Sequence, residues 1–215
     1  MTLIVAKLVT NDYLIVGADC RLVDIETGNH RDDADKLFLV GQDPDCFLIT
    51  WRGDFVSTKP SWTATGKNIG GWLSEWAGRR QNDKRSLDRH LEELKAELSI
   101  PLSNTSSAKP GYLIVLGWIS GELVCRSLRV NQRNPGSPEF VPETNVGLIS
   151  GYLCQWPPTL AVDCDVDSSI RDVATMRQYI ARFAEYDRTG TISRDMKQTV
   201  VAELRPGRTS LHGRL

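Results

Sequence analysis

The 215-residue sequence has no charge excess of either sign, few histidines, no cysteine pairs and no long apolar run. Each absence excludes something. Lysine and arginine number 26 against 27 aspartates and glutamates, a net charge of -1, so no basic field draws the chain to nucleic acid or to an acidic membrane. No apolar stretch approaches the length that crosses a bilayer. The start, Met1-Thr2-Leu3-Ile4-Val5, lacks the cationic region and cleavage site of a secretory signal, so a cytoplasmic setting is expected. The five cysteines are odd in number and form no Cys-x-x-Cys pair; they read as small buried apolar residues. His30, His90 and His212 share no ligand spacing, so no metal site or cofactor is expected. Neither a Gly-x-Ser-x-Gly elbow nor a phosphate-binding loop occurs.

What is present is an ordinary globular composition, 40% hydrophobic and 25% charged, enough to build a core over one domain. We expect that domain over residues 1–204, followed by a basic tail over 205–215. Two apolar runs, Leu3–Val9 and Tyr13–Cys20, flank a turn-prone Thr10-Asn11-Asp12 and predict a hairpin. Both runs are apolar on both faces, as expected of strands covered on two sides. A polar loop over Asp24–Asp35 precedes strands at Lys36–Val40 and Cys46–Trp51. Trp62, Ile69, Leu73 and Trp76 recur at near-helical spacing, although Gly66, Gly70 and Gly71 weaken that pattern. Leu87, Leu91, Leu94 and Leu98 fall on one helical face.

Ser99–Pro110 reads as a loop, and Tyr112–Trp118 with Glu122–Val130 as a hairpin about Ser120-Gly121. The stretch Asn131–Pro142 reads as a loop and Val146–Ile149 as a short strand. Pro157 and Pro158 interrupt any helix beginning after Ser150. Val173, Met176, Ile180 and Phe183 mark an amphipathic helix, and Thr199–Leu204 a late strand. Strands needing cover on both faces, with helices in the middle and near the end, fit an α+β fold. The layered solution is an αββα sandwich of four layers, with a simple α+β sheet as the rival.

One ordered set of residues goes further. Thr2-Leu3-Ile4-Val5, then Gly17-Ala18-Asp19-Cys20-Arg21, then Asp35-Lys36-Leu37-Phe38, resembles the opening of a proteasome β-type subunit of the N-terminal-nucleophile hydrolases. The resemblance continues loosely through Gly53, Ser150-Gly151 and Asp187. It implies a threonine-type amide hydrolase acting on peptide or unfolded polypeptide. It also implies a homo-oligomeric ring or spiral, and it leaves any ATPase partner unknown.

By the same resemblance Thr2 is the nucleophile, and Asp19, Arg21 and Lys36 are its supporting charges. The Gly53 N–H is the oxyanion donor, and Ser150 and Asp187 are assisting groups. Cys20, Trp51 and Arg52 fall where substrate is bound. Trp51 would narrow or fill the specificity pocket. Arg52 would favour acidic substrates or face solvent.

The chemistry needs these residue types. A threonine hydroxyl is a weak nucleophile without a base. On a first residue the α-amine serves, with a reference pKa of about 7.7–8. A nearby lysine ammonium disfavours protonation of that amine. Initiator Met is generally removed before a small residue, so Met1 is expected to leave, with no propeptide to cut. A retained Met1 would block the amine and leave a catalytically silent scaffold subunit. An amidase acting on a small non-peptide amide is the other alternative. Departures from the family pattern are Trp51 and Arg52 beside the glycine, Pro157-Pro158, and Arg188-Thr189-Gly190 where Ser-Gly-Gly is expected after Asp187.

Overall fold

The computed structural model describes residues 3–23, 29–53, 55, 69–107, 109–133, 137–143, 152–155, 169–187, 190 and 192–213. They form a mixed α+β structure with two five-stranded antiparallel sheets, a two-stranded ribbon and three α-helices. The chain divides into two compact units, one of residues 1–37 with 147–215 and one of residues 38–146. No described helix is long and apolar enough to cross a membrane.

In the first unit, β1 (Ile4–Thr10) and β2 (Tyr13–Asp19) form the expected hairpin. Strands β3 (Leu22–Val23) and β4 (His30–Arg31) make the ribbon, and β4 lies within the stretch read as loop. The sheet runs β10 (Tyr152–Gln155), β1, β2, β11 (Thr199–Arg205), β12 (Arg208–His212). On it packs α3 (Val173–Tyr186), capped by Asp172 and Thr175 in a reciprocal capping box. Alternation along β2 turns Tyr13, Ile15 and Gly17 toward α3. There Met176, Ile180 and Phe183 close over Leu3, Val5 and Val201. Gly17 permits the close approach, because a β-carbon there would lie 2.6 Å from Ile180 Cδ1 and 2.7 Å from Met176 Cγ. The other face of β2, carrying Leu14, Val16 and Ala18, is fully buried as well.

In the second unit the sheet runs β5 (Leu37–Val40), β6 (Phe47–Gly53), β7 (Gly111–Ile119), β8 (Glu122–Asn131), β9 (Glu139–Glu143). Helices α1 (Ile69–Gly78) and α2 (Leu87–Leu102) accompany it. Phe47 of β6 meets His90 of α2 at 5.5 Å between ring centroids, and Trp76 of α1 meets the same His90 edge-on.

Three segments differ from expectation. The second helix runs through Pro101 to Leu102 instead of stopping near Ser99. Leu102 is buried there, and hydroxyls of Ser99, Ser103 and Thr105 donate to the carbonyls of Lys95, Ser99 and Leu102. Residues 139–142, the end of the Pro-, Asn- and Gly-rich stretch read as loop, form with Glu143 the edge strand β9, where the N–H that Pro142 lacks costs little. Residues 208–212, placed in the basic tail, pair with β11 as β12; the Arg177 guanidinium donates to the carbonyls of Thr199 and Gly213 and ties them to α3. The strand expected at 146–149 lies outside the described residues.

Candidate active site

Strand β2 ends at Asp19, whose register partner on β11 is Thr199. The Asp19 N–H donates to the Leu3 carbonyl at 3.3 Å, and the Leu3 N–H donates to Asp19 Oδ1 at 2.8 Å. The carboxylate therefore fastens Leu3, the residue that leads into β1. Lys36 precedes β5, and its ammonium donates to the same Oδ1 at 3.1 Å and to the Arg21 carbonyl at 2.6 Å. Both side chains of the pair are fully buried. Burying two charges is costly, and the cost is offset only where further hydrogen bonds complete the pair. Here Asp19 also accepts the N–H groups of Leu3 and Arg21, the latter at 3.1 Å on Oδ2.

The alignment of these segments comes from the backbone. Ala34 N–H donates to the Cys20 carbonyl at 3.0 Å, drawing the segment that carries Lys36 alongside the end of β2. The Cys20 side chain is buried.

Arg21 closes the network. Its Nε and Nη2 donate to Asp32 Oδ1 and Oδ2 at 2.6 and 2.7 Å, a bidentate fork, and its Nη1 donates to the Gly190 carbonyl at 2.9 Å. The hydrogen-bonded guanidinium holds the Asp32 carboxyl below its ordinary range, and Asp32 raises Arg21 in turn. Ser193, itself buried, donates its hydroxyl to Asp32 Oδ2 at 3.1 Å. Asp187 sits at the C-cap of α3, buried, and its Oδ2 accepts the Ile192 N–H at 2.8 Å. That bond shapes the turn whose Gly190 carbonyl meets Arg21.

The structure thus brings Asp19, Arg21 and Lys36 into one network and sets Asp187 in the adjoining turn. Thr2 and Ser150 lie outside the described residues. In the second unit Gly53 ends β6 opposite Gly111. Its φ of +82° and the place a β-carbon would take, 2.5 Å from the Pro110 carbonyl oxygen, admit glycine alone. Trp51 is buried, with its ring edge-on to Phe55 at 6.2 Å. The Arg52 guanidinium lies 4.0 Å over the ring of its cross-strand neighbour Tyr112. Asp32 and Ser193 were not singled out from sequence: Asp32 stands in an acidic loop beside Asp33 and Asp35. Nothing local marks it as Arg21's partner.

No family model matches the sequence, and neither does any curated protein. Among solved structures the chain is similar to an Anbu mutant from Hyphomicrobium sp. strain MC1, with a TM-score of 0.50 and 14% identity over 98% of this chain and 86% of that one. It is similar also to Anbu from Yersinia bercovieri, described as an ancestral beta-subunit, with a TM-score of 0.51 and 13% identity over 98% and 86%. At that identity the likeness is one of fold, and the fold is proteasome-like.

Proposed function

We propose that this chain is a threonine-type N-terminal-nucleophile hydrolase that cleaves amide bonds in peptides, with Thr2 as nucleophile once Met1 is removed. One observation carries the reading. The oxygen of Asp19 that holds the Lys36 ammonium also holds the N–H of Leu3, the residue next to Thr2. A buried cation that shares this oxygen with the Leu3 N–H is what a free Thr2 amine needs to remain unprotonated near neutrality.

In this reading the Thr2 amine takes the proton of the Thr2 hydroxyl, and the hydroxyl oxygen attacks the scissile carbonyl. Hydroxyl and base belong to one residue, so part of their orientation is covalent. The developing oxyanion is held by the Gly53 N–H. The amine then returns the proton to the leaving nitrogen, leaving an ester on Thr2. Water, activated by the same amine, hydrolyses that ester. Ser150 and Asp187 assist beside the nucleophile, and Cys20, Trp51 and Arg52 contact substrate. The two sheets stack between helical layers as an αββα sandwich, and the chains assemble as a homo-oligomeric ring or spiral.

Intact-mass measurement after treatment with a β-lactone tests the reading. The expected product lacks Met1 and carries one probe, and Thr2→Ala carries none. Retention of Met1 or absence of the adduct overturns it in favour of a silent scaffold subunit. An adduct without turnover of any peptide points to an amidase on small amides.

A further inference from the structure

Arg21 lies between β2 and β3 and belongs to neither strand; its N–H donates to Asp19 Oδ2, and the next residue, Leu22, pairs with Arg31 in the ribbon. Its carbonyl is one of two acceptors holding the Lys36 ammonium. The residue's other end is fixed as well. Three guanidinium N–H groups are committed, two to Asp32 and one to Gly190. The side chains of Arg21 and Asp32 are 14% and 25% exposed, so water competes for this fork far less than at an open surface. Asp32 is steadied in turn by Ser193, whose oxygen also accepts the Asp195 N–H at 3.3 Å.

From this we infer that Asp32, braced by Ser193, is a positioning residue for Lys36 and acts through the side chain of Arg21. The fork anchors Arg21, the anchored residue aims its carbonyl, and the carbonyl with Asp19 sets the direction of the ammonium. The role rests on the reading of Thr2 as nucleophile and adds to it. The effect of Lys36 on the Thr2 amine depends on a residue four positions before it, in a different hydrogen-bonding layer. With asparagine at position 32 the fork loses its charge and one acceptor oxygen. The Arg21 carbonyl is then free to turn, and the displaced ammonium disfavours the protonated amine less.

The test measures the second-order rate of β-lactone acylation at Thr2, by intact mass, from about pH 6 to about pH 9, the range that brackets a terminal amine. The native chain, Asp32→Asn, Asp32→Glu and Ser193→Ala are compared, with folding checked by circular dichroism. For Asp32→Asn the expected result is a loss of roughly tenfold at neutral pH and an acid limb moved to higher pH, because the amine holds its proton longer. Asp32→Glu restores the midpoint, and Ser193→Ala moves it less, in the same direction.

A purely structural role scales the rate with the folded fraction and leaves the midpoint in place; that result, or an unchanged rate, overturns the inference while the native chain still reacts. If Asp32→Asn does not fold, Ser193→Ala decides, and an unmoved midpoint there overturns the inference. A folded native chain that never reacts overturns the reading of Thr2, and this inference with it.

Discussion

Lys36 and Asp19 form a fully buried ion pair, Nζ to Oδ1 at 3.1 Å, and the same oxygen accepts the Leu3 N–H. One carboxylate thus ties Leu3 to a buried cation, and stability and proposed chemistry share the contact. The predictions below separate the two.

Lys36→Met strands the Asp19 charge in the interior. Urea unfolding should show a loss of about 3–5 kcal/mol, as for a buried pair broken on one side. Lys36→Met with Asp19→Asn should recover part of that loss, because no uncompensated charge remains, while peptide turnover stays absent. Recovered turnover in the double variant would remove Lys36 from the chemistry.

Gly53→Ala puts a β-carbon against the Pro110 carbonyl at a positive φ. A destabilisation of about 1–3 kcal/mol is expected from the strained backbone. If its N–H holds the oxyanion, kcat should fall by roughly 10²–10³ in the protein that remains folded. Steady-state kinetics on purified folded protein checks this, and a fall in proportion to the folded fraction alone would argue for a structural glycine.

Gly17→Ala should cost about 1–3 kcal/mol by overpacking β2 against α3. The added methyl meets Ile180 Cδ1, the far end of a flexible side chain. Ile180→Val removes that atom, so the double variant should be more stable than Gly17→Ala alone. Thermal melts of the two single variants and the double complete the cycle, and simple additivity would mean that the two positions do not touch.

His90 is fully buried between Phe47 and Trp76, and neither ring nitrogen has a hydrogen-bond partner. Burial lowers its pKa from the ordinary 6.5. The sign follows. The folded state binds this proton less readily than the unfolded state, so the contribution is intact above about pH 6.5 and declines as pH falls below it. His90→Leu should flatten that decline and add about 1 kcal/mol at neutral pH, since it removes two unsatisfied polar atoms. Chemical denaturation at pH 7.5 and pH 5.5, both about one unit from the ordinary histidine value, checks both effects.

Much of the fold was legible in sequence because periodicity reports burial. The first hairpin, the strands after Lys36, the hairpin about Ser120-Gly121 and the helices bearing Leu87 and Val173 all follow from spacing alone. The misplaced segments share one cause. Pro101, Pro142 and the polar Arg208–His212 weaken a local preference that packing overrides, since a capped helix end and an edge strand tolerate what an element's interior does not.

The candidate site divides in the same way. Asp19, Arg21 and Lys36 could be named because their order along the chain resembles that of the proteasome β-type subunits; each alone reads as an ordinary turn or surface residue. That the three meet is decided by pairing between segments far apart in sequence: Leu3 with Asp19, Cys20 with Ala34, Arg21 with Gly190. Asp32 and Ser193 could not have been named at all. A carboxylate in a row of carboxylates acquires a partner only when the chain folds back on itself, and which guanidinium it meets is a property of distance in space, to which residue order is blind.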